Sequence, residues 1–385
     1  MFFKYFLCFI IISSAFKSYS QLVEKIIGNG KIEGNYIGGY YNYNKDSYPL
    51  FESNRTKESA DFYVRNVSEL LTALKEATSG NIIYLDDAGS FNLANKHPVE
   101  IPTGVSLVSG RGRNKSLGAL VFSNQFKTLP LFKVTGNSVI IEGLRVRGPD
   151  SNIVNQQEVD RIIQRKKEIN PSDQIDVNSV RSYGLPNSRG IEIEGINVVV
   201  RNCEVYNWSH AGVYIAEGGS VLVSHSYIHH NQRFGLGYGV SVQGIAIIKG
   251  NIFDFNRHAI ASSGAVGTSY IAEYNICLGS SSIQGHIFDM HGGVDRKDNT
   301  NIAGDSLRIN NNIFFTSFAP TIKVRGRPQY ESYIFDNLFI DISSRTKPAT
   351  LLSRLFGTKT VMPLEELIVQ SNMTGNLSAS GNVVN

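Results

Sequence analysis

The sequence predicts an all-β fold, a β-solenoid in which a single chain winds coil upon coil behind one N-terminal capping helix. Three observations predict it. First, with Leu144, Cys203, Ser226, Asn251, Asn275, Asn312 and Asn337 set in one column, the steps from Cys203 to Asn275 are 23, 25 and 24 residues, and insertions account for the longer gaps. Second, two further columns are apolar throughout. Ile141, Val200, Val223, Ile248, Ala272, Ile309 and Ile334 lie three places earlier, and Val146, Val205, Ile228, Phe253, Cys277, Phe314 and Phe339 two places later. Third, apolar residues alternate within each unit, as in Val139-Ile141 and Val198-Val200, which is the period of strands. A coil this short buries its apolar face only against its neighbours, so the period itself implies a solenoid.

At 385 residues the chain exceeds what one compact core usually holds. A solenoid grows along one axis, so one elongated domain is expected. Residues 1–20, with Lys4, an apolar run, Ser18 and Ser20, read as a secretory signal cleaved near Ser20-Gln21, giving a secreted protein, periplasmic or extracellular. The run is too short for a membrane anchor. Without Lys4 and Lys17 the charge balance is 37 − 2 = 35 basic against 33 acidic residues. That balance argues against nucleic acid as a partner. Cys203 and Cys277 stand three coils apart in this register, about 14 Å at roughly 4.8 Å per step. A disulfide needs Cα atoms within about 7 Å, so two buried free thiols are expected.

Residues 21–60, rich in Gly, Tyr and Asn, read as an irregular N-terminal arm. In 64–81, Asn66 and Glu69 have capping-box spacing, Leu70, Leu71, Leu74 and Ala77 form one apolar stripe, and Gly80 stands at the stop. The β-helix domain is read as 61–340. Its insertions are 151–185, where EVDRIIQRKKEI reads as a short charged helix, and 293–305, rich in Asp and Asn. Residues 341–385 read as a C-terminal cap and tail.

The capping helix followed by GNIIYLDDAGSF and IPTGVSLVSGRGRN, then by units ending in Asn-x-Phe such as Asn251-Ile252-Phe253, resembles the pectate-lyase-like superfamily. The resemblance spans roughly residues 62–340. It implies a single-stranded right-handed parallel β-helix, and a fold whose long grooves suit polysaccharides worked on by elimination, hydrolysis or epimerisation. The W-[IV]-D-H motif of the pectate lyases proper is missing, so their calcium site is not carried over. GHIFDMHGG is similar to the GHG segment of polygalacturonase-like hydrolases, without their NTD or paired-Asp motifs. YGV resembles the opening of the uronan C5-epimerase motif, with Ser241-Val242-Gln243 where D-P-H should follow.

Seven of the eight histidines fall between Ser209 and Gly293, in phase with the repeat. The Asn column reads as a structural ladder of amides, and His225, His229 and His230 as turn residues. The starts of the second strands are different. Arg189, His210, Tyr238, Arg257-His258 and His286 recur there, with Tyr238 preferred to Arg233 because YGVSV matches AGVYI. Alternation turns Glu192, Tyr214, Asp289 and Lys323 outward, with His291 and Arg325 just past the strand ends. Stacking makes one strip of these, suited to an anionic or heavily hydroxylated glycan.

Elimination on a uronate needs a cation for the carboxylate, a base for the C5 proton and an acid for the leaving oxygen. Arg257 or Arg325, His258 or His286, and Tyr238 supply those types, with His210 beside them. Arg189, Glu192, Tyr214, Asp289, His291 and Lys323 are candidates for substrate binding. Hydrolysis needs two carboxyls about 5–9.5 Å apart, and Glu192 and Asp289 stand several coils apart. His286, Asp289 and His291 do not share one face of a strand, which argues against a transition metal. Calcium would suit the hard oxygens of Asp295, Asp298, Asn299 and Asp305, but their spacing matches no calcium motif and the loop reads as solvated. The expected reading is a secreted, monomeric polysaccharide lyase on an acidic glycan. Hydrolase, epimerase and non-catalytic glycan-binding solenoid are its alternatives.

Overall fold

The computed structural model describes residues 31–32, 35–36, 53–151, 156–278, 286–342 and 362–384. The expected signal segment 1–20 and most of the expected 21–60 arm lie outside the described residues. Among the described residues the strands form three parallel sheets of 11, 10 and 9 strands, apart from one small antiparallel pair, Lys31–Ile32 with Asn35–Tyr36. The chain visits the three in rotation. Val198–Arg201, Glu204–Tyr206 and Ala211–Ile215, for example, are successive strands in the 11-, 10- and 9-stranded sheets.

The two apolar columns are two ladders of the core. Ile141, Val200, Val223, Ile248, Ala272, Ile309 and Ile334 pair in unbroken register in the first sheet. Val146, Val205, Ile228, Phe253, Cys277, Phe314 and Phe339 do so in the second. All are fully buried. Each Val, Ile or Phe side chain among them contributes roughly 1.5–3 kcal/mol by leaving water.

The turn joining these two sheets explains the polar column. The residue before each column position takes a left-handed backbone: Asn202 (φ 50), His225 (φ 51), Tyr274 (φ 56), Asn311 (φ 55) and Asp336 (φ 54), with Gly at 250 and 381. The column residue then bonds along the axis. Asn275 donates its backbone N–H and its Nδ2 to Oδ1 of Asn312 at 3.0 and 2.9 Å, and Asn251 does the same to Asn275. Asn382 continues this ladder below Asn337.

The C-terminal boundary needs correction. Ile368–Gln370, Leu377–Ser380 and Val383–Val384 each add a strand to one of the three sheets, so the β-helix continues past residue 340. An insertion before this coil broke the period and hid it.

The helix Val67–Glu76 forms where expected, with Asn66 accepting from the Glu69 N–H, and it buries Leu70, Ala73 and Leu74 in the main core. Gln156–Ile169 is helical and packs Val159 with Val180 and Leu185 in a small core of its own. Cys203 and Cys277 are buried and free.

Candidate functional site

The strip assembles on the outer face of the nine-stranded sheet. One row pairs Glu192 with Tyr214, Tyr214 with Ser241, Ser241 with Ala261, Ala261 with Asp289, and Asp289 with Lys323. Alternation forces this row outward, because the residues beside it, Val213, Val240, Ile260, Phe288 and Ile322, fill the core. A second row stands at the strand starts, where Tyr238 pairs with His258. The Tyr238, His258 and His286 rings stack at 5.8 and 5.6 Å, nearly parallel. His210 lies one residue before the partner of Tyr238 and meets its ring edge-on at 6.0 Å. Arg233, the other residue whose spacing fits this row, is buried instead. It donates to Asp150 at 2.9 Å and to the Pro186 carbonyl.

Asp289 is the centre of the arrangement. Arg325 donates Nε to Oδ1 at 2.9 Å and Nη2 to Oδ2 at 2.6 Å, His291 Nε2 lies 3.2 Å from Oδ2, and His258 Nε2 lies 3.7 Å from it. Burial alone would raise the carboxyl's pKa. The His291 hydrogen bond and the Arg325 charge outweigh burial and hold it well below the usual carboxylate range. Asp289 is fully buried, which corrects its assignment to substrate binding. The outward row has the expected direction, but neighbouring side chains close over this member of it.

His258 is also fully buried, its Nδ1–H donating to the His286 carbonyl. Burial, then the Arg257 charge, push it down to about 3, against the pull of Asp289. His286 is pushed down to about 4 by burial first and by Arg325, Lys323 and Arg257, with Asp289 opposing; its Nε2 accepts from Arg325 Nη2 at 3.2 Å. His210 is pushed down to about 3 by burial and the Arg189 guanidinium, whose Nε donates to its Nδ1 at 2.9 Å. All three imidazoles are therefore neutral at neutral pH.

The cations divide by what they hold. Arg325 serves Asp289 and, at 3.3 Å, Asp295. Arg189 pairs with Glu192 at 2.7 Å and lies 3.9 Å over the Tyr214 ring. Arg257 lies near Tyr238, Nη1 donating to the hydroxyl at 3.4 Å. Lys323, beside Asp289 in the row, makes no ion pair with any described residue.

His291 is placed by the turn that follows it. The Cβ of any other residue at 292 would strike the Arg325 carbonyl, and at 293 it would strike Thr300, so the two glycines let the chain pass closely under Arg325. The short helix Gly293–Arg296 starts there, with Asp295 accepting from the Gly292 N–H at 3.1 Å. Asp295 is the residue of the cluster that the strip pattern missed. It stands outside the strand alternation, and only the contact with Arg325 of the next coil reveals it.

The loop carboxylates do not converge. Asp298 accepts from Thr300 and Arg296, and Asp305 from the Gly267 N–H. Among the described residues no group of three His, Cys, Asp or Glu stands together in a way that could hold a metal ion. No helix of the described residues is long and apolar enough to cross a membrane.

No protein-family model matches the chain, and no curated protein matches it. Solved structures do. An alginate lyase from Paenibacillus sp. str. FPU-7 superposes with TM-score 0.55 at 17% identity, covering 84% of this chain and 94% of its own. A family 28 exopolygalacturonase from Yersinia enterocolitica gives TM-score 0.47 at 12% identity, over 84% of this chain and 78% of its own. The A-module of a mannuronan C-5 epimerase from Azotobacter vinelandii gives 0.41 at 12%, over 73% and 76%. At these identities the likeness is one of fold.

Proposed function

We propose that this chain, which has the right-handed parallel β-helix fold of the pectate-lyase-like superfamily, is a polysaccharide-active enzyme that cleaves an acidic, uronate-containing glycan by β-elimination. One observation carries the reading. The carboxylate at the centre of the site, Asp289, is buried and held ionised by Arg325, while the adjacent Lys323 ammonium has no counter-ion among the described residues.

Hydrolysis needs a carboxylic acid able to give a proton and a second carboxylate across the bond. Asp289 is shifted the wrong way for the acid. Glu192 is four strand steps away, about 19 Å at roughly 4.8 Å per step, and is spent on Arg189. Elimination needs no second carboxylate. Lys323 takes the substrate carboxylate and so acidifies C5, an imidazole of the cluster accepts the C5 proton, and the leaving oxygen takes a proton from water. His258 is sealed and does not fill the role of base. Tyr238 stands two coils from His286, about 10 Å, so it serves with Tyr214 and Arg257 as a platform for sugars further along the chain. Export and a monomeric state belong to this reading as well, the first on the sequence of residues 1–20.

The test is to incubate the mature protein with polymannuronate, polyguluronate and polygalacturonate and follow the ultraviolet absorbance of unsaturated ends. New reducing ends without that absorbance would move the assignment to hydrolysis. C5 inversion without cleavage would move it to epimerisation, and binding without turnover to a glycan-binding solenoid.

A further inference from the structure

Resting on that elimination reading, we infer that His291 is the general base and that the buried Asp289 is the residue that positions it. Lone pairs single out this ring. A neutral imidazole has one nitrogen that accepts and one that donates, and the partner of one fixes the role of the other. In His210 the accepting nitrogen is Nδ1, already taken by Arg189 Nε. In His286 it is Nε2, taken by Arg325 Nη2. His258 donates from Nδ1 to a carbonyl, so its acceptor is Nε2, which is enclosed and has no hydrogen-bond partner.

His291 differs. A carboxylate only accepts, so the 3.2 Å contact with Asp289 Oδ2 makes Nε2 the donor and leaves the Nδ1 lone pair to accept. The side chain is 32% exposed, and Asp295 Oδ2 lies 4.0 Å from Nδ1. Of the imidazoles on the strip, this is the one with an uncommitted and reachable lone pair. The arrangement of a buried carboxylate, a ring fixed in one tautomer and an open nitrogen is that of an oriented base. Once Nδ1 is protonated, the imidazolium lies between the carboxylates of Asp289 and Asp295, which stabilise the charge that develops.

In the step, a bond forms between Nδ1 and the C5 proton as the C5–H bond breaks. That electron pair becomes the second bond between C4 and C5, and the C4–O bond breaks with its electrons on the leaving oxygen. Water protonates that oxygen, and His291 returns its proton to solvent.

The experiment compares the full chain with His291→Gln, His291→Ala and Asp289→Asn on whichever uronate polymer the wild type cleaves, with His230→Gln, in the turn after the strand Tyr227–His229, as control. His291→Gln is expected to lower kcat about 100-fold or more, as loss of a general base does, with little change in KM. Added imidazole should restore part of the rate of His291→Ala and none of that lost in Asp289→Asn. Asp289→Asn is expected to lower kcat with little change in KM, as loss of a residue that positions the base does. If the variants melt below the assay temperature, imidazole rescue at reduced temperature still separates a base from a structural residue. A wild type that makes unsaturated ends while His291→Gln keeps its kcat overturns this assignment alone. A wild type that makes none with any polymer overturns the elimination reading first.

Discussion

Arg325 holds Asp289 with two parallel hydrogen bonds, 2.9 and 2.6 Å, reaching back across one coil to a carboxylate with no solvent exposure. The pair joins two coils and also sets the donor that fixes His286. Arg325→Gln leaves a buried charge without its cation, which costs about 3–5 kcal/mol. Arg325→Met with Asp289→Leu removes both charges and is expected to recover most of the loss. Thermal melts of the two single variants and the double variant check this. A single variant that melts with the wild type would mean that the carboxylate is not sealed.

The imidazoles make stability depend on pH. His210 and His258 are pushed down to about 3 and His286 to about 4, burial being the largest cause in each. The unfolded chain protonates these rings near 6.5, so between about pH 6.5 and 4 it binds more protons than the native state. Stability therefore rises with pH through that window and is lost on acidification. Asp289, depressed below its ordinary value, adds to the loss lower down. Melting temperature followed from pH 7.5 to 4 should fall steadily, and His258→Gln should flatten the curve. A flat wild-type profile would contradict the burial of these rings.

Asn275 accepts from the backbone and side chain of Asn251 and passes the same pair of bonds on to Asn312. Asn275→Ala leaves buried donors on Asn251 without an acceptor, at about 1–3 kcal/mol each. The expected result is a clear drop in melting temperature with hydrogen exchange accelerated in the coils on either side. Asn275→Asp keeps the acceptor but sets a buried carboxylate oxygen against Asn312 Oδ1 and the Ile248 carbonyl, to which Asn275 Nδ2 donates at 2.9 and 2.8 Å, so it should lose no less.

The periodic part of the molecule was legible from the sequence because stacking copies one contact many times. Ile141 to Ile334 and Val146 to Phe339 declare their register by being apolar at every turn. Tyr238 could be chosen over Arg233 on strand pattern alone, and its pairing with His258 follows that choice. Asn382 was hidden by an interruption of the period. The fate of Asp289 was not legible for another reason. Alternation gives a side chain's direction, but its burial depends on Arg325, 36 residues on, folding back over it. Nor does spacing reveal which nitrogen of each histidine is occupied, since that follows from contacts between coils.

Lys323 gives the last prediction. It neighbours Asp289 in the outward row, yet the Asp289 carboxylate is bonded to Arg325, so the ammonium has no counter-ion among the described residues. A hydrogen bond to a charged group is worth about 1.5–3 kcal/mol, which is roughly a 10- to 100-fold change in binding. Lys323→Gln is therefore expected to raise KM for a uronate polymer by about that range. It should change binding of a neutral glycan little, because the lost partner is a carboxylate. Salt separates charge from shape: the wild-type KM should rise with ionic strength as the contact is screened, and the KM of Lys323→Gln should rise less. Equal salt dependence in both proteins would remove Lys323 from carboxylate recognition and leave Arg257 as the cation to test.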